Sequence, residues 1–196
     1  MKGLKKLNLG LVLAIIVIIG IVVYCIYVEG ERKKAKTDIN KTCEEFIQVT
    51  NTYAILPEEE QRLGIRKSEI NLDNFSSKAE SDLKGKMVSD ESAEIQARFL
   101  TDVVEKQLLD TSKIITDYER KISKITSYQF DGNQVTVTFN SKVSIKKKYN
   151  DAVEEKISED SFDVQGETIT LEKKDGSWKV VYANLAYTNP ESAITF

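Results

Sequence analysis

Side chains that carry out acid–base and nucleophilic chemistry are scarce in this sequence. None of the 196 residues is a histidine. Because the serine and cysteine triads, most general-base mechanisms and imidazole-bearing zinc sites use histidine, the composition excludes most enzyme classes. Cys43 has no histidine partner and falls on the apolar face of a predicted helix, so we expect it to pack as a small apolar residue. The sequence predicts a protein that is not an enzyme and has no catalytic residue.

Acidic side chains form two clusters, one at residues 58–60 and one at Glu154, Glu155, Glu159 and Asp160. Calcium prefers oxygen ligands of this kind, but neither cluster has the spacing of an EF-hand. A solvated helix start and a solvated loop explain them more simply. The glycines stand singly, without a phosphate-binding loop. We therefore predict no metal site and no cofactor.

Aromatic residues in the second half of the chain are candidates for lining a ligand pocket, although aromatic residues on strands also build cores. These candidates are Tyr128, Phe130, Phe139, Trp178 and Tyr182.

Two basic groups could contact anions. The first, which follows the hydrophobic N-terminal segment, is a candidate for contact with anionic headgroups; it comprises Arg32, Lys33, Lys34 and Lys36. The second includes Lys142 and residues 146–148, and we expect those lysines to protect an exposed edge strand.

Residues 9–28, LGLVLAIIVIIGIVVYCIYV, contain no charge. At about 1.5 Å per residue, this segment spans the roughly 30 Å hydrocarbon layer as a helix. It is longer than a signal-peptide core and lacks a small-residue cleavage site. Bulky residues before Cys25 also argue against a lipoprotein signal. We predict a basic tail over residues 1–8 and a transmembrane helix over residues 9–28, in contact with the lipid bilayer.

The part of the chain after this helix is acidic. Three of the 28 basic residues precede the helix and all 31 acidic residues follow it, which leaves a formal charge of −6 beyond it. Nucleic acid is therefore excluded as a primary partner. Short basic tails before a first hydrophobic segment normally stay inside, and long domains translocate largely regardless of charge. We predict a cytoplasmic N-terminus and a globular domain outside the cytoplasm.

Helical periodicity dominates the chain up to about residue 118. A juxtamembrane helix over residues 29–56 should continue into a globular domain over residues 40–188, and a short helix should follow Pro57. A weaker helix is predicted over residues 74–87 and a strong one from Ser89, with Ile95, Phe99 and Val103 on its apolar side.

Beyond about residue 118, the spacing at which apolar residues recur changes from 3.6 residues, as in a helix, to 2 residues, as in a strand. The segment QVTVTFNSKVSIKKKY alternates as an antiparallel strand with one wet face, and three more strands surround it. Asp131-Gly132 and Asp175-Gly176 predict tight hairpins. The pattern indicates an α+β fold, with about three helices packed on a curved four-stranded antiparallel sheet and a C-terminal tail over residues 189–196.

Helices followed by long strands that end in KKDGSWKVVYANL resemble the cone-shaped nuclear-transport-factor-2-like superfamily over about residues 40–188. The whole arrangement is also similar to the single-helix scaffold proteins of type IV secretion and conjugation channels. These resemblances imply a membrane-anchored, non-catalytic scaffold of a bacterial envelope assembly with protein partners, and they leave a homo-oligomer open. The alternative is a membrane-tethered module that binds a small ligand or lipid inside the cone.

Overall fold

A computed structural model describes residues 9–57, 60–61, 71–108, 112–149 and 156–186. The chain divides into two compact units, Met1–Asn40 and Lys41–Phe196. The predicted tail over residues 189–196 lies outside the described residues, as does most of the helix predicted after Pro57.

Three helices precede the sheet in the described part of the chain. Helix α1 runs from Leu9 to Thr52, α2 from Asp73 to Lys84 and α3 from Asp90 to Gln107. Helix α1 ends five residues before Pro57, which was predicted to terminate it. Its C-terminal turns bury an apolar face at the predicted spacing, which includes Cys43, Phe46 and Ile47.

Four strands follow: β1 (Lys113–Asp131), β2 (Gln134–Tyr149), β3 (Lys156–Lys174) and β4 (Ser177–Asn184). Each pairs with the next in an antiparallel meander of order β1-β2-β3-β4. The α+β class is confirmed. Strand β1 begins at Lys113 and β3 at Lys156, because backbone pairing with β2 continues past the alternating apolar residues.

Both predicted hairpins are present. Asp131 pairs with Gln134 around a two-residue loop in which Gly132 has a φ of 56°. Asp175 and Gly176 form the other loop with φ values of 50° and 80°. The Asp175-Gly176 loop therefore has positive φ at both central residues, as a type I′ turn requires, whereas the first loop has it at Gly132 and not at Asn133.

Helix α3 begins at the predicted N-cap, because the Ser89 hydroxyl accepts a hydrogen bond of 3.1 Å from the Ser92 N–H. The apolar face was predicted wrongly. Ile95 and Phe99 are 61% and 44% exposed. The buried face instead consists of Ala93, Gln96, Ala97, Leu100 and Val104. Small residues allow a helix to approach its neighbours closely, so the buried side of α3 is not its most hydrophobic side.

The buried face of the sheet follows the predicted alternation of buried and exposed residues. On β2 every second residue from Val135 to Lys147 is buried, and the residues between them are partly or fully exposed. Residues opposite each other in an antiparallel pair share a face. The register therefore extends this buried face to Ile169 and Leu171 on β3 and Val180 on β4.

Candidate functional site

The five aromatic candidates do not line one pocket. Tyr128 and Phe130 stack on β1 with ring centroids 6.4 Å apart, and both are half-buried. Phe139 is fully buried in the core, while Trp178 is half-buried on β4. Tyr182 is 60% exposed and pairs with Thr170 on the opposite face of the sheet. Tyr182 lies on the face opposite Val180 because a bulge in β4 adds one residue between them and so reverses the alternation of the strand.

The described part of the chain contains an open depression of about 450 Å³ in a different place. It lies between the end of α1 and strand β1, and polar side chains form most of its wall. The lining residues are Gln48, Asn51, Thr52, Ile55, Asp117, Tyr118 and Glu119.

A charged cluster that the sequence reading missed lies at the centre of the buried face. Arg120, Ser141 and Glu167 come from three neighbouring strands and are at most 3% exposed. Arg120 Nη2 lies 3.4 Å from Glu167 Oε1, and the Ser141 hydroxyl donates a hydrogen bond of 2.5 Å to Glu167 Oε2. In the sequence, Ser141 stands at a position of β2 that alternates with the buried apolar residues. A hydroxyl buried there needs a hydrogen-bond partner, and this was the one feature that could have predicted the cluster.

This cluster binds the protein's own backbone. Arg120 Nη2 donates to the carbonyl oxygen of Ala186 at 2.7 Å, and the Ala186 N–H donates to Glu167 Oε1 at 2.9 Å. Ala186 therefore contacts one guanidinium nitrogen of Arg120 and one carboxylate oxygen of Glu167. Because the groups are buried and engaged with the chain itself, we assign them a structural role, holding the segment that leaves β4.

Lys147 forms a second buried charge on the same face. Its side chain is 1% exposed, and its Nζ lies 2.9 Å from the Asp160 carboxylate, which is 43% exposed. The prediction that the lysines around Lys147 protect an edge strand was wrong, because β2 is an inner strand of the sheet. Edge position depends on strand order, which local sequence does not encode.

Strand β1 is one of the two edge strands of the sheet, and bulges interrupt its pairing with β2 at three points. Thr116, Ser123 and Thr126 are the extra residues, and each donates its hydroxyl to a β2 carbonyl oxygen, at 3.4, 3.1 and 3.0 Å. The hydroxyl replaces the ladder N–H that the bulge displaces. Bulges of this kind discourage pairing with other chains.

Two side-chain amides occupy the outer edge of β1. Asn51 accepts from the Arg120 N–H at 3.1 Å and donates to the Arg120 carbonyl at 2.9 Å. Gln61 contacts the N–H and carbonyl of Ile115 in the same way, at 2.9 and 2.6 Å. Each amide imitates the backbone of a neighbouring strand. An extended partner peptide could not use these positions without displacing them.

The other sheet edge is also partly covered. The Val88 N–H donates to the Val180 carbonyl at 2.8 Å, and the Val180 N–H donates to the Lys86 carbonyl at 2.9 Å. Strand addition is thus hindered at these positions on both edges.

The first part of α1 is the one described helix that is long and apolar enough to cross a membrane. Its apolar side chains are exposed, for example Leu13 at 60%, Ile16 at 62% and Ile26 at 67%. Water would not stabilise so continuous an apolar surface, and hydrocarbon would. This composition indicates anchoring in a membrane.

The basic residues that follow this segment are all exposed on α1. Lys34 approaches Glu31 at 3.8 Å, a weak surface contact. At about 1.5 Å per residue, Arg32 lies roughly 6 Å beyond Val28, within the depth of the headgroup layer, and Lys36 lies roughly 12 Å beyond it. Contact of Arg32, Lys33, Lys34 and Lys36 with anionic headgroups stays a prediction.

Within the described ranges, no three acidic or cysteine side chains converge as a set of metal ligands. Glu58, Glu59, Glu154 and Glu155 lie outside those ranges. Burial and the neighbouring Glu44 raise the pKa of the Cys43 thiol to about 12. At neutral pH this thiol is protonated and shielded, which is the opposite of what a nucleophile needs.

No family model matches the chain, and no curated protein matches it. Among solved structures, the intermembrane space region of the chloroplast protein ARC6 is similar over 61% of this chain and 95% of that one, at 11% identity and a TM-score of 0.25. Similarity at this level carries no inference about function.

Proposed function

We propose that this protein is a membrane-anchored, non-catalytic interaction domain of a bacterial envelope assembly, such as a conjugation or secretion channel, with its globular part outside the cytoplasm. The observation that carries the proposal is the exposed apolar segment of α1, which requires lipid around it. The cone-shaped family and the scaffold architecture named above are part of the proposal.

The described polar groups of the interior favour a binding role over catalysis. Glu167 contacts both Arg120 and Ser141, Arg120 and Glu167 also bond to the Ala186 backbone, and the Cys43 thiol is buried. A general acid, base or nucleophile must reach a substrate. We therefore propose that the protein acts through contacts with other proteins.

The alternative, a ligand held inside the cone, receives less support. Phe139 is fully packed in the core, and Tyr182 lies on the opposite face of the sheet. The open depression beside Asn51 lies at the β1 edge, away from that interior. A ligand module would need a different site from the one predicted.

Membrane sidedness tests the proposal. A membrane-impermeant maleimide would be applied to intact cells that express Asn133→Cys in a Cys25→Ala background, since Asn133 is exposed in the β1–β2 hairpin. We expect labelling before lysis. Lys5→Cys in the same background is the matched control and should react only after lysis. The reverse pattern would place the domain in the cytoplasm and overturn the proposed location.

Partner capture tests the interaction role. Cells would be crosslinked, the full chain purified from membranes and its covalent adducts identified by mass spectrometry. Reproducible adducts with envelope proteins are expected. Recovery of lipid adducts alone would contradict the proposal.

A further inference from the structure

Four apolar residues of β1 form a half-buried strip on the inner face of the sheet. We call them the β1 strip; they are Ile122, Ile125, Tyr128 and Phe130. Each lies opposite a fully buried residue of β2, within the range from Val135 to Ser141. Residues opposite each other in an antiparallel pair share a face. The β1 strip therefore extends the buried face to the edge of the sheet, where its burial is incomplete.

The chain that leaves β4 comes to the start of this strip. Strands β4 and β1 are opposite edges of the sheet. Ala186, two residues after the end of β4, bonds to Glu167 on β3 and to Arg120 on β1. Arg120 is buried on the same face, two residues before Ile122. The backbone at Ala186 is therefore held on the inner face, beside the side chain that borders the β1 strip.

The sequence after Ala186 has features that suit packing on a sheet. Residues 187–196, YTNPESAITF, lie outside the described ranges. An Asn-Pro pair favours the start of a turn, and Asn189-Pro190 is such a pair. Ile194 and Phe196 are two residues apart, which places both side chains on one face of an extended segment. The segment thus combines a turn signal with two apolar residues at strand spacing.

We propose that residues 191–196 pack along the β1 strip, with Ile194 over Ile125 and Phe196 over Tyr128. The turn at Asn189-Pro190 reverses the chain, and the segment then runs in the direction of β1. The occupant of the β1 strip is thus the chain's own C-terminal segment. This inference goes beyond the proposed function and does not depend on which side of the membrane the domain occupies.

The spacing of the strip matches the spacing of the segment. Counted along the β2 register, Ile125 lies four residues from Arg120, and Tyr128 lies six. At about 3.3 Å per residue, these separations are about 13 and 20 Å. Ile194 and Phe196 are likewise four and six residues beyond the predicted turn. A turn beside Arg120 therefore brings both apolar side chains level with apolar residues of the strip.

The anchored position of Ala186 makes this contact favourable. Packing of the segment removes apolar surface of both the strip and the segment from water. The loss of freedom is small because Arg120 and Glu167 already hold the chain at Ala186. A short flexible linker gives an effective concentration of about 1 mM or more. An outside peptide must exceed that concentration in effect before it displaces the segment.

Intramolecular crosslinking of the full chain in lipid vesicles tests the contact. The background is Cys25→Ala, and Cys43 stays because its thiol is buried. Dibromobimane fluoresces once it joins two thiols. The pair Ile125→Cys, Ile194→Cys should give a fluorescent monomer at roughly ten times the level of the pair Lys124→Cys, Ile194→Cys, because docking raises the local concentration of one thiol at the other. Lys124 is the matched control, since it is the neighbouring residue and is exposed.

Maleimide labelling of single variants in the same background is a second test, which alters no described residue of the sheet. Ile194→Cys should react more slowly than Thr195→Cys, because alternate residues of a docked extended segment face the strip and the solvent in turn. Adding Tyr128→Ser should bring the two rates closer together. Adding Gln129→Ser, at an exposed neighbouring position, should leave them apart.

Equal yields from the two crosslinking pairs, or equal labelling rates at Ile194→Cys and Thr195→Cys, would overturn the proposal. Fluorescent dimers without fluorescent monomer would also overturn it and would assign the β1 strip to a second chain. The labelling test keeps its force where Ile125→Cys does not fold. Neither test changes the sidedness result, so failure of this inference and failure of the proposed function can be told apart.

Discussion

Arg120 and Glu167 show how single residues can be decisive where the surrounding pattern is apolar. Both lie on the buried face of the sheet, and each also bonds to the Ala186 backbone. A buried charge is tolerated when a partner and hydrogen bonds replace water. The pair thus fixes the path of the chain after β4 at the cost of removing two charges from water.

Arg120→Met should lower the free energy of unfolding by about 3–5 kcal/mol, because it leaves the Glu167 carboxylate buried without its cation. Urea unfolding of the full chain in detergent micelles, followed by the fluorescence of Trp178, measures this change. The control is Arg98→Met, which removes an exposed ion pair to Glu94 and should change stability by less than about 1 kcal/mol. Equal losses in the two variants would contradict the structural role of the Arg120 cluster. The double variant Arg120→Met, Glu167→Leu should recover much of the loss.

Strand β1 shows how an element can be long and yet protected. It has 19 residues, but three bulges bend it and two amide side chains occupy its outer backbone groups. The bulge residues are hydroxyl-bearing because their carbonyl partners on β2 would otherwise lose a donor. A long flat edge would invite aggregation.

Ser123→Ala should destabilise the protein by about 1 kcal/mol, since the Asn140 carbonyl loses the hydroxyl that replaces a ladder N–H. Ser127→Ala is the matched control on the same strand, because Ser127 pairs in register with Thr138 and is exposed. Its effect should be within about 0.5 kcal/mol. Urea unfolding compares the two. Equal effects would mean that the bulge hydroxyl contributes no stability.

At the scale of the whole molecule, the chain combines an apolar helix that indicates membrane anchoring with a folded α+β unit. The apolar segment of α1 exposes nearly every side chain from Leu13 to Tyr27. Among the described residues of the globular unit, in contrast, most large apolar side chains are buried, and the exposed ones are Ile95, Phe99, Ile157 and Tyr182.

Replacing both Ile16 and Ile19 with arginine should release the protein from membranes, because each charge near the centre of a membrane helix costs about 2.5–3.5 kcal/mol on insertion scales. Alkaline carbonate extraction followed by immunoblotting measures the membrane-bound fraction. Ile157→Arg is the control and should stay in the membrane fraction. Retention of the double variant would mean that the segment is not the anchor.

Local sequence by itself determined the apolar segment, the class of fold, both hairpins and the alternation of β2. Each of these depends on neighbours within a few positions: an uncharged run, a period of 3.6 or 2, or an Asp-Gly turn. The tertiary structure alone decided which side of α3 is buried, that β2 is an inner strand, and that Arg120 meets Glu167.

Those three features join residues far apart in the chain. The buried side of α3 includes small residues, because close packing of this helix depends on the shape of the surface that it contacts and not on hydrophobicity alone. A bulge in β3 beside Gly166, whose φ is 74°, reverses which alternate residues of the strand face inward. As a result, Glu167 faces inward. Bulge positions and strand order follow from long-range pairing, and no local pattern contains them.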